Sequence, residues 1–209
     1  MTFKIVNILI TIILFSLSSK GQIIDSTVLI EVMEFNFVAS KFDTVRSSET
    51  GQLIAIHYAD VEGIVKKVIY FKNGLVSGVI NFLNDEFHGP FVIYYENGAI
   101  ESYGKYFHNK GFVFEFSREG KIIDFYQRDK NINQYIGYRA VYCSNGFLRQ
   151  ETYYNKSDYV QKRFYCNGVL NYVGNIVNFK KEGEWIFYDL NGKLEKVELY
   201  ENDKLIKIK

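Results

Sequence analysis

The stretch that decides the fold runs from Gly89 to Ile100 and reads GPFVIYYENGAI. An apolar and aromatic run ends at Glu96, Asn97 and Gly98, and an apolar residue returns at Ile100. Asn-Gly between apolar stretches is a strong β-hairpin signal, because glycine accepts the positive φ that a β-carbon opposes. The segment therefore predicts two antiparallel strands joined by a tight turn.

Two registers are open to this hairpin. A three-residue loop of Glu96, Asn97 and Gly98 pairs Tyr94 with Ile100, whereas a two-residue loop of Asn97 and Gly98 pairs Tyr94 with Glu101. Only the three-residue loop places the aromatic and the aliphatic side chain opposite each other on one face. We predict that register, a type I turn closed by a glycine bulge, in every copy of the pattern.

The same pattern recurs along the chain with spacings of 24, 22, 26, 22 and 24 residues. The turn glycines are Gly74, Gly98, Gly120, Gly146, Gly168 and Gly192. The aromatic residues four positions earlier are Tyr70, Tyr94, Phe116, Tyr142, Phe164 and Tyr188. An aliphatic residue follows each glycine by two positions, and a second glycine precedes four copies by nine. This is a tandem hairpin repeat.

After each hairpin a second strand follows, and the segments HNKG, NKSD and KKEG predict the turns into the next copy. Two turns per copy give an all-β fold, an elongated antiparallel meander of tandem β-hairpin repeats with about 12–16 strands. Residues 65–209 hold these repeats, and residues 22–64 are predicted to form N-terminal strands that cap the array. A weaker copy at Gly51 has Ser47 in the aromatic position. Lysines at 204, 207 and 209 are predicted to guard the last strand against pairing.

Residues 1–21 have the pattern of a secretory signal peptide: Lys4, an apolar run from Ile5 to Leu17, and then small and polar residues. The alternative is a retained membrane anchor, but this run is shorter than the roughly 20 residues that a spanning helix needs. Removing Lys4 and Lys20 leaves 23 basic against 24 acidic side chains, a net charge of −1. Nucleic acid is not an expected partner, because phosphate binding needs a basic field.

The repeat, above all at residues 89–100 and 183–194, resembles the bacterial variant of the MORN (membrane occupation and recognition nexus) repeat over about residues 65–205. The resemblance implies an extended, twisted antiparallel sheet and a role in protein scaffolding, with membrane or phospholipid contact in some members. Some bacterial members are described as antitoxin-like. The chain departs from that subgroup in its export signal, and from the repeat in Tyr159 and Glu119, which replace Gly and Asn.

The sequence offers no catalytic constellation, and neither a metal nor a cofactor is expected. His57, His88 and His108 fall in different copies, so we interpret them as turn or surface residues and not as a ligand set or triad. Acidic residues such as Glu86 and Glu182 stand beside predicted turns, where solvated carboxylates are ordinary. The protein is therefore not expected to be an enzyme.

The aromatic residues divide into two groups. The periodic ones predict the core of the sheet, with a ladder for stacking sugars as the alternative. The less regular tyrosines predict an exposed interaction surface, since an aromatic ring with a polar tip suits interfaces. They are Tyr95, Tyr103, Tyr106, Tyr126, Tyr153, Tyr154 and Tyr172.

Cys143 and Cys166 lie three and two residues before their turn glycines in adjacent copies. Adjacent hairpins bring them near each other, yet positions differing by one face opposite sides of a strand, so the sequence leaves a disulfide open.

These features predict a non-enzymatic exported protein, periplasmic, at the cell envelope or secreted, that binds an unidentified protein partner or serves as a scaffold. Envelope lipid or glycan binding is a second hypothesis, and antitoxin or immunity action is a third.

Overall fold

The computed structural model describes residues 40–209, and every regular element in that range is a β-strand. The predicted signal peptide at 1–21 and the first part of the predicted cap, 22–39, lie outside the described residues. Fifteen antiparallel strands follow in chain order, and the structure therefore confirms an all-β meander of tandem hairpins. The chain divides into two compact units, which meet between Gly120 and Lys121 in the sequence.

The first unit carries seven strands, and each pairs antiparallel with its neighbours in the chain. They are β1 (Lys41–Arg46), β2 (Leu53–Ala59), β3 (Ile64–Tyr70), β4 (Val76–Leu83), β5 (Glu86–Tyr94), β6 (Ile100–Phe107) and β7 (Lys110–Phe116). Its buried centre includes a cross-strand row of Val68, Val79 and Val92. β-branched side chains suit such a row because they pack well on a pleated surface.

The second unit carries eight strands with the same neighbour-to-neighbour pairing. They are β8 (Ile122–Asp129), β9 (Gln134–Tyr142), β10 (Leu148–Asn155), β11 (Asp158–Phe164), β12 (Leu170–Val177), β13 (Lys180–Tyr188), β14 (Leu194–Glu201) and β15 (Lys204–Ile208). Trp185 is buried against Gly174, where an added β-carbon would lie 2.2 Å from the indole ring. Only a glycine therefore admits the ring at this position.

The predicted hairpin register is the observed one. Tyr94 pairs with Ile100, the Gly98 N–H donates to the Tyr95 carbonyl at 2.9 Å, and Gly98 has φ +88°. Four other copies have the same pairing: Tyr70 with Val76, Tyr142 with Leu148, Phe164 with Leu170, and Tyr188 with Leu194. The three-residue loop is thus a property of the repeat and not of one copy.

Each of these five hairpins also contains a bulge that the sequence did not predict. In the hairpin of β5 and β6, Tyr94 pairs with Ile100 but Ile93 pairs with Ser102, so Glu101 has no cross-strand partner. The unpaired residues in the other copies are Ser77, Arg149, Asn171 and Glu195. A bulge at this point increases the local twist of the strand pair.

The asparagine before the turn glycine has a visible local role. Its side-chain oxygen accepts the N–H two residues along, as from Ala99 to Asn97 at 3.1 Å and from Val169 to Asn167 at 3.1 Å. Asn145 also donates from its amide nitrogen to the Cys166 carbonyl of the next turn at 2.7 Å. The recurring Asn therefore closes its own turn and, at Asn145, ties two turns together.

At the ends of the strands opposite the turn glycines, most connections are two-residue turns in which both residues have positive φ. They are Asn84-Asp85, His108-Asn109, Asn178-Phe179 and Asn202-Asp203. The predicted turn at HNKG is one of them, but the predicted turn at KKEG is wrong, since those residues begin β13. The chain turns just before this segment, at Asn178-Phe179, where the phenylalanine takes φ +63°.

The weaker copy at Gly51 forms a hairpin with a longer loop. Arg46, and not Ser47, pairs with Leu53, and the Ser47 N–H donates to the Gln52 carbonyl at 2.8 Å. Ser47 thus lies in the loop and does not take the place of the aromatic strand residue. At the other end, β15, which carries the terminal lysines, is exposed along its whole length.

Candidate functional site

The seven tyrosines that were predicted to form an interaction surface differ in how deeply they are buried. Tyr106 and Tyr126 are buried, so that prediction is wrong for these two. Tyr106 packs with its ring centroid 5.5 Å from those of both Phe87 and Phe91, and Tyr126 packs 5.2 Å from Tyr135. Side chains alternate between the two faces of a strand, and the places of Tyr106 on β6 and Tyr126 on β8 direct both rings inward. The prediction did not use this alternation.

Four of the remaining tyrosines are partly buried and already engaged. Tyr95 donates its hydroxyl to the Phe116 carbonyl at 2.8 Å, and Tyr103 pairs with Val92 across the strands. Tyr154 packs between Tyr135 and Tyr159, at 5.7 and 5.1 Å. Tyr172 packs beside Trp185 and Phe187, at 5.5 and 5.7 Å. These side chains have structural roles.

Tyr153 is the exposed member of the seven, with 48% of its surface accessible. Its ring lies 5.0 Å from that of Tyr138 on β9, and its hydroxyl donates to Glu151 at 3.3 Å. Glu151 also accepts hydrogen bonds from the Tyr138 hydroxyl at 3.5 Å and from Lys162 at 2.8 Å. Burial, followed by the Glu151 charge, raises the pKa of Tyr138 to about 12, so that its hydroxyl stays protonated.

The periodic aromatics are placed less uniformly than the core prediction requires. Tyr94 is completely buried, whereas Tyr70, Phe116, Tyr142, Phe164 and Tyr188 are each partly exposed. Among these six aromatics, the core prediction therefore holds in full for Tyr94 alone.

A groove of about 350 Å³ opens beside Tyr153 in the second unit. Its walls come from β10, β11, β12 and β13, that is, from three consecutive copies of the repeat, whose turn glycines are Gly146, Gly168 and Gly192. The lining combines apolar with polar side chains: Tyr153, Tyr159, Val160, Ile176 and Val177 with Asn155, Asp158, Asn175 and Glu182. We define these residues, with Gly183, as the β10–β13 groove.

The two carboxylates of the groove are held by backbone donors. Asp158 Oδ1 accepts the N–H of Asn178 at 2.9 Å, and Glu182 Oε2 accepts the N–H of Asn202 at 2.9 Å. Each acceptor lies next to a two-residue turn of the following hairpin. The backbone of these turns therefore fixes one oxygen of each carboxylate. From the sequence, Glu182 was interpreted only as a solvated carboxylate beside a turn.

A second polar cluster joins histidines that the sequence had separated. The rings of His88 and His108 lie 5.0 Å apart, and His108 Nδ1 is 2.6 Å from Glu86 Oε2. His108 lies in the exposed turn after β6, as interpreted from the sequence, and that turn folds back beside β5, where His88 is half-buried. Burial, and then the neighbouring His108, lower the pKa of His88.

A third cluster lies on β8 and β9, where Arg139 forms a bidentate ion pair with Asp124, its Nη2 being 2.5 Å from Asp124 Oδ2. The guanidinium also lies over the Tyr135 ring at 4.6 Å. The hydrogen bonds to Asp124 raise the pKa of Arg139 above its usual value. The pair joins the neighbouring strands β8 and β9.

Cys143 and Cys166 form a disulfide, with their Cα atoms 5.8 Å apart. The alternation of side chains between the two faces of a strand does not keep these cysteines apart, because both lie in hairpin loops, beyond the last paired residues Tyr142 and Phe164. The bond therefore links the turns of two adjacent copies.

No group of three or more His, Cys, Asp or Glu side chains is arranged to hold a metal ion in the part of the chain that the structure describes. Residues 40–209 also contain no helix long and apolar enough to cross a membrane. A comparison with protein-family models finds no match to this chain, and a search of curated proteins finds no similar sequence.

Proposed function

We propose that this protein is an exported, non-enzymatic member of the bacterial MORN-repeat variant family that binds a protein partner at the cell envelope through the β10–β13 groove. The observation that carries the proposal is the exposed apolar surface of the groove. Tyr153, Val160 and Val177 come from three successive strands and are 48%, 37% and 38% exposed. Contiguous exposed apolar surface with a polar rim is typical of interaction sites.

Two further features support the export part of the proposal. Residues 1–21 have the pattern of a signal peptide, and the Cys143–Cys166 disulfide suits an oxidising compartment such as the periplasm or the exterior. A scaffold also benefits from rigid binding strands. Here the groove strands are held at one end by the disulfide and at the other by the bonds to Asn178 and Asn202.

Photo-crosslinking in intact cells tests the proposal. A photoreactive amino acid replaces Val160 in the full chain, and in a matched control it replaces Lys193, which is exposed in the turn between β13 and β14. We expect a discrete protein adduct from position 160 and none from position 193. The proposal is contradicted if position 160 yields no protein adduct, yields only lipid or glycan adducts, or yields the same bands as position 193.

A further inference from the structure

We infer that the β10–β13 groove accepts the basic side chain of an extended segment of the partner, a lysine or an arginine. This inference rests on the proposed function, since it names the chemistry of the partner at the same site. It concerns charge that the repeat pattern does not require, because the position of Asp158 and Glu182, ten residues before the turn glycine, is Ile, His, Lys and Ile in the four preceding copies.

The charge of the groove favours a cation. Two carboxylates, Asp158 and Glu182, line it, and no Lys or Arg is among its lining residues. One oxygen of each carboxylate is fixed by a backbone N–H, from Asn178 and Asn202, so little side-chain freedom remains to be lost on binding. The other oxygens, Asp158 Oδ2 and Glu182 Oε1, are outside those bonds and offer acceptors to a charged donor.

The apolar part of the groove fits the rest of such a side chain. Lysine and arginine carry an aliphatic stem that covers apolar surface while the charged head reaches polar partners. Val160, which pairs with Tyr153 across β10 and β11, and Val177 on β12 provide that surface. An acidic or purely apolar segment would match only one half of the lining.

The surroundings of Tyr153 disfavour the glycan alternative. A sugar stacks on an open aromatic face, but the Tyr153 ring is flanked by Tyr138 at 5.0 Å from β9 and by Lys162 Nζ at 5.8 Å from β11. Its hydroxyl is also bonded to Glu151. The ring is therefore a wall of the groove and not a stacking platform.

Lys162 and Lys180 lie near the groove, but the Lys162 ammonium is paired with Glu151 at 2.8 Å, so the charge that opposes the inferred ligand is that of Lys180. Lys180 lies opposite Val177 across β12 and β13, outside the lining. Its ammonium group repels an incoming cation, so removing that charge should strengthen binding. A role of the carboxylates in folding alone would not produce this opposite response.

The test uses the exported chain, residues 22–209, with its disulfide intact. The probe is a fluorescent acetyl-Val-Arg-Val-Arg-Val-amide peptide, with matched peptides in which Gln or Glu replaces Arg, and an N-acetylglucosamine oligosaccharide as the glycan arm. We expect the Arg peptide to bind about tenfold more tightly than the Gln peptide, with an affinity that falls between about 0.05 and 0.5 M salt.

Three groove variants and one control complete the experiment. Asp158→Asn and Glu182→Gln keep an acceptor for the backbone N–H and should each weaken Arg-peptide binding about 3-fold, and Lys180→Gln should strengthen it by a similar factor. Asp43→Asn, in the first unit, removes an exposed carboxylate that accepts the Thr44 N–H at 2.8 Å and should leave binding unchanged. Lys180→Gln keeps the test decisive if a carboxylate variant fails to fold.

The inference is overturned if the Gln peptide binds as tightly as the Arg peptide, if Lys180→Gln weakens binding, or if the oligosaccharide competes for the groove. A cellular adduct at position 160 whose contacting segment lacks basic residues would sink this inference and leave the proposed function standing. Absence of any protein adduct would instead sink the proposed function, whatever the peptide does.

Discussion

Single residues in this protein take their chemistry from neighbours that lie one hairpin away. His88 and His108 are 20 positions apart in the sequence, yet their rings lie 5.0 Å apart, with Phe107 within 5.0 Å of both. Burial and the second imidazole lower the pKa of His88 from its ordinary value of 6.5. The neutral form of His88 is therefore the one that the fold favours.

This lowered pKa predicts a loss of stability in mild acid. As the pH falls through about 6.5, the unfolded chain takes up a proton at His88 that the folded chain resists, so unfolding becomes easier. The loss grows until the pH reaches the lower native pKa and is constant below it. We expect the free energy of unfolding to decrease between pH 7.5 and pH 5, by denaturant titration at each pH.

The control for this prediction is His88→Gln. The variant keeps the other titrating groups, so the difference in slope between the two proteins isolates His88. The same pH dependence in both proteins would refute the assignment.

Burial is the residue-scale property that sequence reasoning predicted least well. Tyr94 and Ile100 were placed opposite each other correctly because both recur at fixed distances from a glycine. Tyr106 and Tyr126 were assigned to the surface because they stand outside the turn motif, although their place in the alternation of β6 and β8 decides their burial. The groove escaped prediction because its lining comes from separate copies, and of that lining only Gly183 is a recurring motif residue.

At the scale of elements, turn chemistry explains both the success and the failure of the predicted boundaries. Asn-Gly turns were located correctly because that pair favours positive φ. The turn at Asn178-Phe179 was missed because phenylalanine is not a turn residue and KKEG, which follows, contains a glycine. Gly183 instead lies inside β13, with φ +72°.

Phe179→Gly is expected to stabilise the protein. Phe179 is 63% exposed and has φ +63°, so its removal relieves backbone strain and gives up little packing. The relief of about 1–2 kcal/mol exceeds the entropic cost of glycine, leaving a net gain of about 0.5–1 kcal/mol. Denaturant unfolding measures the change.

The matched control is Phe147→Gly, at an exposed phenylalanine without positive φ. That substitution should lower stability, because it adds chain freedom and relieves no strain. If both variants change the unfolding free energy equally, strain at Phe179 does not explain the result.

The disulfide is the second feature that acts at the scale of elements. It joins loops 23 residues apart in the sequence, and closing a loop of that size should contribute about 3 kcal/mol to stability. We expect a reducing agent to lower the urea midpoint of the wild-type protein. The Cys143→Ser, Cys166→Ser double variant should start at the lower midpoint and not respond to the reductant; a midpoint that reduction leaves in place would contradict the estimate.

For the whole molecule, composition predicted the fold class, and the repeat predicted the number of strands. With 35 Tyr and Phe residues and one Pro, the chain favours strands, and six hairpin copies account for most of the fifteen strands described. The function is harder to predict, because a repeat specifies its own pairing and carries no information about what binds to it.

Export is a prediction about the chain as a whole. We expect the protein recovered from the envelope or medium to have lost about its first 21 residues and to contain no free thiol, by intact mass measurement with and without a thiol-alkylating reagent. Ile13→Arg, which places a charge in the apolar run, should leave the full-length chain inside the cell. A full-length mass in the exported fraction would contradict cleavage.

The neighbour-to-neighbour pairing within each unit has a consequence for how such a chain can change over generations. Duplicating or deleting one whole hairpin leaves the remaining partnerships intact, because no strand relies on a distant one. The β10–β13 groove is different, since its walls come from three consecutive copies whose sequences have diverged. A hairpin inserted between β10 and β11, or between β12 and β13, would separate those walls, and we expect binding of the proposed partner to be lost.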